Sequence, residues 1–180
     1  LIETDVHFYK GRLEVRHMKT LGPIGLLWDG LRLGNPFARR LRLGEVLDAL
    51  EPGEEIMLDL KPVVDGRGSG QRMAAAIMEE LERVLPGAPA TVCSRRWDYL
   101  PHFRARPNTR VVYSCGSAAE RDRLLAGNQE IDGISIRQDF VTAERAPEII
   151  ARGGLVMSWA INDVATLARI AALGVNGFIS

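Results

Sequence analysis

The sequence predicts an α/β protein, a parallel (β/α)8 TIM barrel whose first β/α unit is missing from the chain. Three observations predict it. Short runs rich in β-branched residues alternate with longer helical patterns. The connections between them are short, which calls for right-handed crossovers and parallel strands. No Gly-x-Gly-x-x-Gly follows any strand, so the competing architecture, an open dinucleotide-binding sheet, loses its support.

The strand candidates are residues 1–8, 55–61, 90–94, 110–114, 133–136, 155–159 and 175–180. Seven strands are one short of a closed barrel. A strand and helix ahead of Leu1 would complete it. The chain opens without Met inside the apolar run Leu1-Ile2 and stops on a strand at Phe178-Ile179-Ser180, so it is expected to be cut at both ends.

Helices are expected between the strands. Residues 44–50 are short and amphipathic, and 71–85 are stopped by Pro86-Gly87. A pattern over 97–106 ends before Pro107 and places His102 on the surface. Residues 117–126 open on Ser-Ala-Ala-Glu, a capping-box pattern, and close at Gly127. Residues 142–152 open similarly and end at Gly153-Gly154; 163–173 follow Asn162 and stop at Gly174.

Residues 9–42 are the irregular part. Residues 14–17 suit a short extra strand, and 21–42 read as a long loop, a feature usually tied to function or mobility. Leu26, Leu27, Trp28, Leu31 and Phe37 make this loop apolar. A satellite hydrophobic cluster under the loop is the favoured reading, over a cover for the barrel mouth or a contact for a lipid-like substrate.

The 180 residues are 46% hydrophobic and 26% charged, the profile of one soluble globular domain over 1–180. Lys+Arg and Asp+Glu both number 23, so no basic excess points to nucleic acid. No apolar run reaches the ~18 residues that a membrane span needs. Cys93 and Cys115 sit at strand ends without metal-ligand spacing. They read as buried free thiols, which suits a reducing, cytoplasmic setting; a disulfide would require neighbouring strand ends.

In a strand, residues i, i+2 and i+4 share a face. Glu3, Asp5 and His7 therefore point one way, and Ile2, Thr4, Val6 and Phe8 the other. In a barrel the apolar side meets the helices and the charged side lines the interior near its mouth. Burying two carboxylates and an imidazole is costly without a partner, and a divalent cation would offset both charges. Asp59 and Lys61 share a face of the second strand, at the end where barrels build active sites. Only three of the 23 basic residues are lysines: Lys10, Lys19 and Lys61. His17, after Val15-Arg16, would suit a general acid or base if it met this cluster.

These residues fall in a familiar order. Glu3-Thr-Asp5-Val6, followed by Val15-Arg-His17, resembles the Glu-x-Asp-Val…Val-x-His core of the glycerophosphodiester phosphodiesterases. Leu43-Gly-Glu-Val-Leu47 is similar to that family's Leu-x-Glu-Val-Leu helix, and Leu58-Asp-Leu-Lys61 to its Glu-x-Lys strand, with Asp for Glu. Val92-Cys-Ser94 resembles the strand that ends in Ser-Phe. Val156-Met-Ser-Trp159-Ala-Ile-Asn162 resembles the Trp-Thr-Val-Asn motif, and Gly174-Val-Asn-Gly-Phe-Ile179 the Gly-Val-Asp-Gly-Ile segment. The chain carries Met18, Arg95 and Lys10-Gly11 where the family commonly has Asp, Phe and Asp-Gly.

The resemblance implies a (β/α)8 barrel holding one divalent cation, Mg²⁺ or Ca²⁺, at its C-terminal mouth. It implies Glu3, Asp5 and Asp59 as metal ligands, His17 as one of two catalytic histidines, Lys61 on the phosphate and Trp159 lining the substrate pocket. The other histidine belongs to a His-Arg-Gly motif on a strand this chain does not contain. The implied reaction is metal-dependent cleavage of a small-molecule glycerophosphodiester to glycerol 3-phosphate and an alcohol by histidine acid–base catalysis, in glycerol and lipid metabolism. The alternative is a catalytically impaired barrel that binds a phosphate ligand or acts as a scaffold. A third reading is another metal-dependent barrel lyase or isomerase, since fold alone does not fix the reaction.

Overall fold

A computed structural model describes residues 1–21, 26–29, 32–35, 39–63 and 69–180. Seven strands run parallel: β1 (Ile2–Tyr9), β7 (Ile56–Leu60), β8 (Ala90–Ser94), β9 (Thr109–Cys115), β10 (Gly133–Arg137), β11 (Leu155–Trp159) and β12 (Gly177–Ile179). They lie side by side in chain order, β1-β7-β8-β9-β10-β11-β12. A doubly wound sheet reverses its order at a switch point, and this one does not. Winding in one direction is the barrel solution. β2 (Arg12–Val15) and β6 (Leu41–Arg42) extend the sheet antiparallel beyond β1. Among the described residues no hydrogen bonds join β12 to β1, so the chain forms a partial (β/α)8 barrel.

Strand alternation sorts the two faces. Val6, Ile56, Leu58, Leu60, Val92, Val111, Ile134, Ile136 and Val156 share one core with helical residues. Those helices are α1 (Leu43–Leu47), α2 (Ser69–Val84), α3 (Ala118–Ala126), α4 (Ala146–Gly153) and α5 (Val164–Ala172). From α2, Met73, Ile77 and Leu81 turn inward at helical spacing. Each such fully buried side chain contributes roughly 1.5–3 kcal/mol. The other face carries a small apolar layer, Met57, Cys93, Val112 and Met157, at the centre of the barrel interior.

Helix boundaries follow local chemistry. The Ser117 hydroxyl accepts the Glu120 N–H and starts α3, as the capping pattern predicts. The Asp163 carboxylate does the same for α5 through the Thr166 N–H. Gly154 (φ 64°) and Gly174 (φ 87°) take the left-handed conformations that end α4 and α5.

Four expectations are corrected. Residues 97–106 form a 3₁₀ segment, Trp97–Ala105, because Pro101 lacks the N–H an α-helix would use. α4 starts at Ala146, not Thr142. Residues 142–145 make a turn closed by the Arg145 N–H on Thr142, and Pro147 belongs to the first helical turn. The expected loop over 21–42 holds ordered strands: β3 (Lys19–Leu21), β4 (Leu26–Asp29) and β5 (Arg32–Leu33) form a separate antiparallel sheet. Strands of two to four residues are too short for a period to show in the sequence. Leu27 is buried there, while Leu31 and Phe37 lie outside the described residues. The extra strand expected over 14–17 ends at Val15, so His17 follows it.

Cys93 and Cys115 are free and buried, as expected. Their strands are neighbours, but Cys93 belongs to the interior layer and Cys115 to the helix-side core, so no disulfide can join them.

One buried cation ties the crossover after α2 to the sheet. The Arg106 side chain is 3% exposed. Its guanidinium donates to Glu82, to the Thr109 hydroxyl, and to the carbonyls of Leu85 and Ala88. Arg106→Met leaves two carbonyls and a carboxylate without their donors, and should cost about 2–4 kcal/mol. Urea unfolding of the two proteins, with equal m-values, measures it.

Candidate functional site

The site is built where β1, β7 and β8 end. β1 and β7 pair with Asp5 beside Asp59. Glu3 lies one alternation below, and Lys61 one above, its N–H continuing the ladder to the Val6 carbonyl. Glu3, Asp5 and Asp59 each offer a carboxylate oxygen within 4.8 Å of the other two. The Lys61 ammonium bridges two of them, 2.8 Å from Asp5 Oδ1 and 2.5 Å from Asp59 Oδ2.

His17 arrives by a tight hairpin. Lys10 (φ 49°) and Gly11 (φ 75°) form the two-residue turn between β1 and β2, with positive φ at both positions as the strand twist demands. The returning strand pairs Val15 with Val6 and brings the Arg16 N–H onto the Asp5 carbonyl. Arg16 then bonds Glu14 and the Met18 carbonyl, and Arg40 bonds Glu14 from the other side. Held there, His17 donates Nδ1–H to Asp5 Oδ2 at 3.0 Å, with its ring 77% exposed. That bond orients the imidazole and fixes its tautomer.

The charges do not balance. Three carboxylates surround one ammonium. Burial and the nearby charges of Asp5 and Asp59 push the Glu3 carboxyl up to about 7. Burial also raises Asp59, partly countered by Lys61. Burial acts against the Lys61 charge, but Asp59 and Asp5 outweigh it and hold the ammonium protonated. His7 is buried beside Arg16 and Lys61; burial first, then those cations, pushes it down to about 4. Its Nε2 has no hydrogen-bond partner among the described residues.

A divalent cation fits this arrangement. The donors are all carboxylate oxygens, they converge, and a bridging ammonium already stands in for positive charge between two of them. The raised Glu3 carboxyl marks the charge that remains to be offset.

The structure therefore brings Glu3, Asp5, Asp59, Lys61 and His17 together. Trp159 ends β11, separated from β7 in the sheet by β8, β9 and β10. Its Nε1 is buried without a hydrogen-bond partner among the described residues. The sequence alone does not single out Arg95, which follows Thr91 and Cys93 in the interior-facing alternation of β8 and lies just past its end. Ser94, fully buried between them, donates to the Leu60 carbonyl and accepts the Arg96 N–H. It stitches the ends of β7 and β8 together.

No protein-family model and no curated protein sequence matches this chain. Solved structures do. A protein of Silicibacter pomeroyi assigned as a glycerophosphoryl diester phosphodiesterase aligns with a TM-score of 0.76 at 19% identity, over 98% of this chain and 78% of its own. A phosphodiesterase of Oleispira antarctica, in complex with the product sn-glycerol-3-phosphate, aligns at 0.75 and 21% identity, over 99% and 79%. A glycerophosphodiester phosphodiesterase of Parabacteroides distasonis aligns at 0.73 and 18%, over 98% and 77%. At these identities the likeness is one of fold, and the fold of this chain is that of the glycerophosphodiester phosphodiesterases.

Proposed function

We propose that the chain is a metal-dependent phosphodiester hydrolase that cleaves glycerophosphodiesters to glycerol 3-phosphate and an alcohol. One observation carries the reading: a convergent carboxylate cluster, with a lysine and an oriented histidine, at the C-terminal strand ends of this fold. The Oleispira neighbour, bound to sn-glycerol-3-phosphate, supports the substrate class. Two free, buried cysteines support a reducing, cytoplasmic setting. No helix among the described residues is long and apolar enough to cross a membrane.

Glu3, Asp5 and Asp59 would hold one Mg²⁺ or Ca²⁺, which when bound neutralises charge on the phosphate and orients it. The remaining work belongs to the side chains. Lys61 supplies a fixed positive charge to the oxygens of the phosphorane-like transition state. An oxygen nucleophile forms a bond to phosphorus as the bond to the departing alkoxide breaks: water gives glycerol 3-phosphate directly, and a neighbouring glycerol hydroxyl gives a cyclic glycerol phosphate that water then opens to glycerol 3-phosphate. The nucleophile loses one proton and the alkoxide gains one. His17 serves one of these two transfers, with Asp5 fixing its tautomer. Trp159, at the C-terminal end of β11 on the same rim, would offer the substrate an apolar wall.

Release of glycerol 3-phosphate from a panel of glycerophosphodiesters tests the reaction. Chelator should abolish release and Mg²⁺ or Ca²⁺ restore it. His17→Ala should lower kcat by about 10²–10⁴, the usual worth of a positioned acid or base, and Glu3→Ala should weaken metal dependence. Folded protein that binds metal and releases nothing would support the binding-domain alternative instead.

The Glu3 carboxyl predicts a pH signature. Its folded-state value, about 7, lies above the ordinary 4.5. The metal-free fold therefore keeps its full stability contribution below 4.5 and loses it as pH rises through about 7. In melts with chelator, Glu3→Gln should gain on the native protein over that window, and saturating Mg²⁺ should erase the native protein's loss. A constant difference between the two proteins would sink this account of the cluster.

A further inference from the structure

Arg95 stands at the barrel mouth, outside the carboxylate cluster and unused by the mechanism above. Asp59 pairs with Cys93, and Lys61 and Arg95 each follow two residues later, just past the ends of these adjacent strands. Both continue the interior-facing alternation of their strands. Arg95 is close enough to Asp59 for its positive charge to act on that carboxylate.

Its guanidinium is held, and held away from β7. Nη2 bonds both Glu120 oxygens, at 2.9 and 3.1 Å. Glu120 is itself fixed by the Gly116 N–H at 2.6 Å, and its own N–H caps onto Ser117. Gly116, just past the end of β9, makes the room: a Cβ there would sit 2.7 Å from Arg95 Cζ. The Arg95 side chain is nevertheless 55% exposed, and its Nε and Nη1 make no hydrogen bond among the described residues. A preorganised guanidinium with open donors is suited to an anion.

Which anion follows from position. Lys61 and the carboxylate cluster on β1 and β7 account for the scissile phosphate. Arg95 lies one strand further round, about 4.8 Å on, and leans toward β9. It therefore lies to one side of that phosphate rather than on it. The glycerol 3-phosphate half of the substrate offers only hydroxyls there, so a second negative charge must belong to the departing alcohol. Resting on the phosphodiesterase reading, we propose that Arg95 is a specificity-determining residue that selects glycerophosphodiesters whose alcohol carries an anionic group such as a carboxylate.

The test uses two synthetic glycerophosphodiesters that differ only at the alcohol's end, 3-hydroxypropanoate and its uncharged amide. Both kcat/KM and binding by calorimetry, with Mg²⁺, are measured for the native protein, Arg95→Gln and Gly116→Ala. The native protein should prefer the acid by about tenfold, the scale of one charge-assisted hydrogen bond. Arg95→Gln should reduce the ratio to near one. Gly116→Ala, which keeps the charge but displaces the guanidinium, should lower it as well. An equal native kcat/KM for acid and amide overturns the proposal and leaves the phosphodiesterase standing. An equal fall on both esters in Arg95→Gln also overturns it, because the residue then grips the scissile phosphate. No cleavage of either ester removes the phosphodiesterase reading; binding then decides for Arg95, a preference for the acid that Arg95→Gln abolishes sustaining it and equal binding overturning it.

Discussion

Asp5 and Asp59 stand side by side because β1 and β7 pair in that register, and parallel neighbours are only about 4.8 Å apart. Two like charges at that spacing, in a partly dry interior, repel strongly. The rest of the mouth answers this repulsion. Lys61 lies two residues beyond Asp59 on the same face, so the strand that brings the second carboxylate also brings the ammonium that bridges the pair. Glu3, two residues before Asp5, adds a third charge that Lys61 offsets only in part. A surface meant only for stability would not gather three carboxylates around one cation. The imbalance is a local cost of the kind found at sites held ready for a charged ligand.

The scaffold keeps these charges from relaxing apart. Apolar residues on the opposite face of each strand bury against α2, α4 and α5 and fix which way the charged face turns. Ser94 locks the end of β8 to the end of β7 through one donated and one accepted hydrogen bond. On the other flank, the buried Glu14 between Arg16 and Arg40 steadies the segment that carries His17. Both flanks use polar groups that are satisfied by named partners, which is the condition for placing them inside at all.

The sequence discloses this arrangement unevenly. Period-two alternation makes the shared face of Glu3 and Asp5, and of Asp59 and Lys61, readable without a structure, and parallel pairing is enough to bring the two faces together. The place of His17 is not readable from spacing. It depends on the hairpin turn at Lys10-Gly11, where a lysine adopts a conformation that residues with a Cβ seldom take. The 3₁₀ segment was hidden because apolar spacing over 97–106 suits a helix while Pro101 forbids the α form. The β3-β4-β5 sheet was hidden because its strands are shorter than the window in which a period can be counted. Arg95 continues the alternation of β8, but only Gly116 and Glu120 beside it distinguish it from a solvent-facing arginine.

Gly116 has a consequence for how such a protein can change over generations. The guanidinium of Arg95 occupies the volume that any side chain at 116 would claim, and it is the free end of a long side chain rather than part of the packed core. A mutation at 116 therefore redirects a charge without disturbing the strands beneath it. Substitutions in the buried layers of a barrel are filtered for stability before function is ever sampled. This position escapes that filter. A lineage could wander through ligand preferences by altering a residue that has no side chain of its own, and the record of that history would lie in paired changes at 95 and 116 rather than in the carboxylate cluster.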